Sequence, residues 1–173
     1  GVGIADEWRG HAQDAEHWRD THFRVEGPVV AQMQAAFMTN WIKTRATVEH
    51  TEAYFPDLPP VGSHFAQMFH SSPQEGSEDI RLMYLLSIAA ARSHILLEQA
   101  YFVPDDLAIE LLLAACQRGV RVEILTPSRR TDAPFVRRAS RSRWGPLLAA
   151  GARIYEFQPT NLHYKVMIVD GLW

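Results

Sequence analysis

Asn161-Leu162-His163-Tyr164-Lys165-Val166-Met167-Ile168-Val169-Asp170-Gly171 is the stretch whose reading decides the fold. Val166 to Val169 form an apolar, mostly β-branched run that Gly171 stops, the pattern of a strand buried on both faces. Strand side chains alternate, so His163 and Lys165, two apart, project to one face within reach of a single ligand group. Asp170 has the opposite parity and falls where the strand ends, a place from which it orients neighbours. Imidazole is a nucleophile towards phosphorus or a proton donor to a leaving oxygen. An ammonium two residues away neutralises phosphoryl oxygens, so the pair points to attack on a phosphoester.

The pattern is hard to obtain by accident. The chain has two lysines, Lys43 and Lys165, with eight histidines and nine aspartates in 173 residues. Random placement predicts roughly 0.005 occurrences of His-x-Lys-x4-Asp. A strand-end histidine held by ordinary hydrogen bonds is the plainer alternative; against it, the opening of a buried parallel strand is where α/β proteins bind ligands.

Working back from the motif, Ala152 to Phe157 reads as a strand, preceded by a short helix that Pro146 starts and Gly151 ends. Val120 to Leu125 is another strand. Before it, Pro104 begins a helix whose first turn carries Asp105 and Asp106, favourable against the positive end of the dipole. Leu107, Leu111 and Ala115 are its expected buried stripe, and Gly119 ends it. His94 to Gln99 is a short strand. Ser77 is the expected N-cap of a helix through about Arg92, with Ile80, Met83, Leu86 and Ala90 inside. Strand, helix, strand, helix, strand implies an α/β fold, a parallel sheet with helices on both faces.

Between Pro127 and Arg143 the charge is one-sided: Arg129, Arg130, Arg137, Arg138, Arg141 and Arg143 stand against Asp132 alone. A solvated face and an anion-attracting rim both fit, since guanidinium pairs bidentately with phosphate.

Nearer the start, His11 to His17 reads as a polar loop, and histidines at 11, 17 and 22 fit no metal-ligand template, which leaves them solvated. Thr21 to Val25 alternates as a strand should. Gly27-Pro28 opens a helix on which Val30, Met33, Phe37 and Trp41 define one apolar face, expected to be core. From Glu49 to Ser77 periodicity is lost and Pro56, Pro59, Pro60, Gly62, Pro73 and Gly76 accumulate, a linker and domain boundary.

Composition sets the outer limits. At 47% apolar the chain can bury one ordinary core or parts of two, and it shows no sign of disorder. A net charge of −3 makes no electrostatic case for nucleic acid. The most apolar window, Leu82 to Leu97, is broken by Ser87, Arg92, Ser93 and His94 and is no membrane span. Gly1-Val2-Gly3 lacks the basic region of a signal peptide and reads as a cut end. One cysteine, Cys116, forms no internal disulfide, which suits a reducing compartment.

His163-x-Lys165-x4-Asp170-Gly171 resembles the signature of the phospholipase D superfamily. Four further stretches are similar to its cardiolipin synthase-like bacterial phosphatidyltransferases: Gly1 to Trp8, Trp18-Arg19-Asp20-Thr21-His22 on to Pro28, Tyr101-Phe102-Val103-Pro104-Asp105, and Arg118-Gly119-Val120. In that family two similar halves each supply one such motif to a single active site. One histidine attacks phosphorus to give a phosphohistidine while its partner protonates the departing alcohol. The resemblance implies phospholipase D-like halves with a parallel or mixed sheet flanked by helices, incomplete at both ends. Residues 1–48 would end the first half, 49–77 link, and 78–173 begin the second half through its motif. The first motif would precede Gly1 and the remainder of the second half would follow Trp173, so the chain alone is expected to be inactive.

Carried over by position, His163 is the second half's catalytic histidine, more often the acid, Lys165 binds phosphoryl oxygens and Asp170 supports the cluster. Tyr101 and Phe102 are expected to line the cleft or to be core aromatics, and Arg129 and Arg130 to join the substrate-binding rim. Gly3 stands where asparagine is usual, removing an amide expected near the phosphate. The resemblance implies no metal or other cofactor, a phospholipid substrate at a membrane surface, and the remainder of the same polypeptide as partner. It places the protein in the cytoplasm, peripheral to the inner membrane or anchored there through parts outside residues 1–173. Two alternatives stay open: a nuclease using the same chemistry, which the acidic balance opposes and the arginine run favours, and a non-catalytic half-domain that binds lipid or a partner.

Overall fold

The computed structural model describes residues 3–172, so readings that fall on Gly1, Val2 and Trp173 lie outside the described residues. Residues 3–22 and 83–172 form one compact unit and Phe23–Leu82 another.

In the second unit α1 runs from Val29 to Arg45 and stops where Ala46 turns left-handed, φ 56, its N–H donating to the Ile42 carbonyl. The expected stripe is not its buried face. Val29 and Met38 are buried, whereas Met33 is exposed and Phe37 keeps 54% of its surface. Among the described residues of this unit, one helix and a largely irregular chain supply no second layer for the stripe to pack against. Residues 49–77 hold turns and one short 3-10 turn, Pro73–Glu75. The start of α2, Asp79–Ala90, is capped by Ser71 and not by Ser77: the Ile80 N–H donates to the Ser71 hydroxyl at 2.8 Å, while the Ser77 hydroxyl donates to the His70 carbonyl. Thr21 to Val25 forms no strand. Alternation makes a strand only where an edge is free to pair, and that pairing falls to Arg19, which bridges Leu162.

The first unit is built on a four-stranded sheet: β1 His94–Gln99, β2 Arg121–Pro127, β3 Arg153–Phe157 and β4 Lys165–Val169. Its order is β3-β2-β1-β4, with β1, β2 and β3 parallel and β4 antiparallel to β1. The sheet is therefore mixed, and the motif strand lies at its edge, not in its interior. Met167 and Val169 are buried, but Ile168 on the other face keeps 40% of its surface.

Register puts Leu97, Ile124, Ile154 and Met167 in one row across the sheet, with Ile95, Val122 and Val169 in the next. This face carries the core. Against it pack Ile88 of α2, Ile109, Leu112 and Ala115 of α3 (Asp106–Gln117), and Trp144 and Leu147 of α5 (Trp144–Ala149), each fully buried aliphatic contributing about 1.5–3 kcal/mol. Helices on both faces were expected; among the described residues they cover one. The stripes were also out of phase. Leu85 and Ile88, not Leu86 and Ala90, are buried on α2; on α3 Ala115 is buried as expected and Leu111 packs partly against the core, but Ile109 and Leu112, not Leu107, complete the buried face. Both helices are apolar almost all round, so periodicity in the sequence singles out no face. Asp105 proves to be the N-cap of α3, its carboxylate accepting from the Ala108 N–H at 2.8 Å. α4, Pro134–Ser142, lies within the arginine run.

The loop from β3 to β4 positions the chemistry. Residues 158–164 cross the carboxyl ends of β2 and β1 and enter β4 beside Gln99, opposite Lys165. Seven extended residues reach roughly 23 Å, ample for three strand spacings of about 4.8 Å each. His163 and Lys165 thus stand at the carboxyl ends of the parallel strands, where open α/β sheets bind ligands.

Candidate active site

His163 is held by its backbone first. Its N–H donates to the Arg19 carbonyl at 2.8 Å, and the Arg19 N–H donates to the Asn161 carbonyl at 2.8 Å, so the Trp18-Arg19-Asp20 segment lies alongside residues 161–163. This pairing sets Asp20 against the imidazole, Nδ1 to Oδ2 3.0 Å. With Nδ1–H donating to that carboxylate, Nε2 carries the lone pair; the Lys165 ammonium lies 2.7 Å from Nε2 and 3.0 Å from Nδ1, and donates to the His163 carbonyl at 3.0 Å. The His163 and Asp20 side chains keep only 21% and 12% of their surface. Burial pushes the Asp20 carboxyl up, but its hydrogen bonds, that from His163 foremost, leave it below the usual range. Burial lowers the Lys165 ammonium below its ordinary value, opposed by the Asp20 and Asp132 carboxylates.

Tyr101 closes the other side. Its ring meets the imidazole edge-on, centres 5.9 Å apart, and the Lys165 ammonium lies 5.1 Å from the same ring. Its hydroxyl donates to Asp132 Oδ2 at 2.6 Å, and burial first, then Asp132, push that phenol up to about 12. Asn161 donates to Asp132 Oδ1 at 3.3 Å, while its own Oδ1 is buried with no partner among the described residues. Trp8 and Trp18 complete the ring of neighbours, centres 5.0 and 5.6 Å from the imidazole.

The structure thus brings His163, Lys165 and Tyr101 together and leaves the other expected site residues elsewhere. Phe102 is 6% exposed and belongs to the hydrophobic core. Asp170 sits at the far end of β4, about 16 Å of strand from Lys165. There its Oδ1 accepts from the Ser93 and His94 N–H groups and the Ser93 hydroxyl, and its Oδ2 from the Arg92 N–H, at 2.8–2.9 Å. Those backbone bonds, from His94, Ser93 and Arg92 in turn, hold its carboxyl well below the usual range.

Arg130 donates to the Pro159 carbonyl at 2.9 Å, Arg137 and Arg141 share Glu156, and Arg143 pairs with Asp106. Arg129 is exposed. The arginine run is therefore largely engaged internally. Asp20, Trp8, Trp18, Asp132 and Asn161 carry no signal in local spacing; Asp20 lies 143 residues from its histidine.

With this geometry in place, comparison with known proteins adds the family. Residues 84–173 match the family described as cardiolipin synthase, PLD-like domain. The chain belongs to that family. Cardiolipin synthase 2 of Staphylococcus epidermidis is 34% identical over 172 residues, 98% of this chain and 35% of the relative. Cardiolipin synthase of Listeria innocua is 34% identical over 173 residues, 99% of this chain and 36% of that protein. The chain spans about a third of the length of the curated relatives it matches. Among solved structures, the phospholipase D family member Nuc of Salmonella typhimurium aligns with a TM-score of 0.45 at 30% identity, covering 56% of this chain and 60% of that one. No helix among the described residues is long and apolar enough to cross a membrane.

Proposed function

We propose that this chain is the joining section of a two-motif phosphatidyltransferase that makes cardiolipin or a related phospholipid, with residues 1–48 ending the first half, 49–77 linking and 78–173 opening the second. The observation that carries the reading is one imidazole with a carboxylate on Nδ1 and an ammonium beside the ring, nearest Nε2. Asp20 fixes the tautomer and stabilises the imidazolium that forms, and Lys165 turns from Nε2 to the phosphoryl oxygens when substrate arrives.

Once Lys165 has turned away, His163 takes a proton from solvent at Nε2; in the first step a P–N bond then forms to the other motif's histidine as the P–O bond to the donor alcohol breaks, and His163 gives the departing oxygen that proton. In the second the incoming alcohol gives its proton to His163 as its oxygen bonds phosphorus and the P–N bond breaks. Tyr101 walls the cleft, and Asp170 acts at a distance by fixing β4 to the start of β1. The lipid is met at the inner membrane, with contacts supplied by parts of the polypeptide outside residues 1–173. A nucleic-acid phosphodiester is the weaker substrate, because four of the six arginines that would favour it, Arg130, Arg137, Arg141 and Arg143, are engaged with Pro159, Glu156 and Asp106.

The test assays the full-length polypeptide on phosphatidylglycerol and on single-stranded DNA. Expected are lipid transfer, its loss in His163→Ala, and no turnover by the isolated 173-residue chain. Cleavage of DNA without lipid transfer, transfer surviving His163→Ala, or turnover by the isolated chain overturns the proposal.

A further inference from the structure

Among the described residues three aromatic rings surround the His163 imidazole, and two of them serve no evident packing need. Trp8 ends a 3-10 turn, Asp6–Trp8, and Trp18 stands on the loop that follows it; both lie outside the hydrophobic core, and their centres lie 5.0 Å apart. Trp8 meets the imidazole nearly perpendicular, at 87°. Its place depends on Gly3: a Cβ built there would overlap the indole ring at Nε1, Cδ1 and Cε2. The residue that departs from the family pattern therefore makes room for an indole on the reacting imidazole.

We propose that Trp8 and Trp18 form a water-excluding wall on His163 that steers the phosphoryl group to an alcohol and away from water. The proposal rests on the reading of His163 as the group that takes the proton of the incoming nucleophile. Water and a lipid alcohol compete for that position. Either one gives its proton to His163, bonds phosphorus through oxygen and breaks the P–N bond; water yields phosphatidic acid, and the alcohol yields a new phosphodiester. Indole rings bury about 150–250 Å² each and present apolar faces, so they displace water while leaving a surface on which the carbon skeleton of an alcohol rests.

The experiment measures the ratio of phosphatidic acid to transfer product formed from phosphatidylglycerol by the full-length polypeptide. Trp8→Ala raises this ratio by about 10-fold, and Gly3→Ala, which displaces the ring, raises it by a smaller factor. Combining the two gives no more than Trp8→Ala alone, because the added Cβ then has nothing to displace. Trp8→Phe, which keeps an aromatic ring in place, gives an intermediate ratio and covers failure of the alanine variant to fold. An unchanged ratio in Trp8→Ala or Trp8→Phe, or full additivity of Gly3→Ala with Trp8→Ala, overturns the proposal. A wild-type enzyme that forms neither product overturns instead the reading beneath it.

Discussion

Replacing Asp20 by Asn keeps the shape of the side chain and removes the charge that faces His163 Nδ1 at 3.0 Å. Both side chains are largely shielded, at 21% and 12% exposure, so the solvent screening that makes surface ion pairs nearly worthless does not apply in full. A hydrogen bond to a charged group contributes about 1.5–3 kcal/mol, which corresponds to a loss of roughly 10- to 150-fold in kcat if it is felt only once the imidazolium forms. The amide has a second effect. Turned to donate, it favours the proton on Nε2, where it opposes the Lys165 ammonium at 2.7 Å. The assay is phosphatidyl transfer by the full-length polypeptide, with kcat and KM determined separately and the melting temperature as control. A fall in kcat with KM within about twofold is expected. A folded Asp20→Asn variant with wild-type kcat refutes the reasoning, because the pair would then be an ordinary structural contact.

Three other substitutions probe residues whose sequence-based roles the structure separates. Asp170→Ala removes an acceptor of four hydrogen bonds and lowers the thermal stability of the first unit. Because the folded carboxyl titrates below its ordinary value near 3.9, the stabilisation is complete above that pH and is lost as pH falls towards the depressed folded value. Melting curves of wild type and variant therefore converge in acid, and a gap that stays constant from neutral to strongly acid pH contradicts the account. Phe102→Ala should destabilise by about 3–5 kcal/mol in denaturant unfolding, as a core cavity does. Tyr101→Phe, which deletes only the hydroxyl bonded to Asp132, should cost about 1 kcal/mol; reversal of that order would put Phe102 in the cleft and Tyr101 in the core.

Much of the second half of the fold is legible in the sequence. β1, β2, β3 and β4, with α3 and α5, fall close to where turn residues and β-branched runs place them, whereas α4 lies in a stretch read only for its charge. The helical faces were not legible: Asp-Leu-Ala-Ile-Glu-Leu-Leu-Leu-Ala-Ala-Cys-Gln is apolar on nearly every side, so only the sheet it meets selects Ile109, Leu112 and Ala115. Nor was the direction of β4. A buried parallel strand and a half-exposed antiparallel edge strand differ here by the exposure of one residue, Ile168, and by a loop that crosses two strand ends.

By itself the sequence determined the family, the α/β class and the nearness of His163 to Lys165, because strand alternation is a local property that two residues suffice to express. Tertiary structure alone decided that Asp20, Trp8 and Trp18 meet that histidine, that Phe102 does not, and that Asp170 serves the start of β1. Contacts between residues far apart in the chain depend on how the backbone between them is routed. No spacing along the sequence encodes a hydrogen bond closed by the pairing of Arg19 with residues 161 and 163.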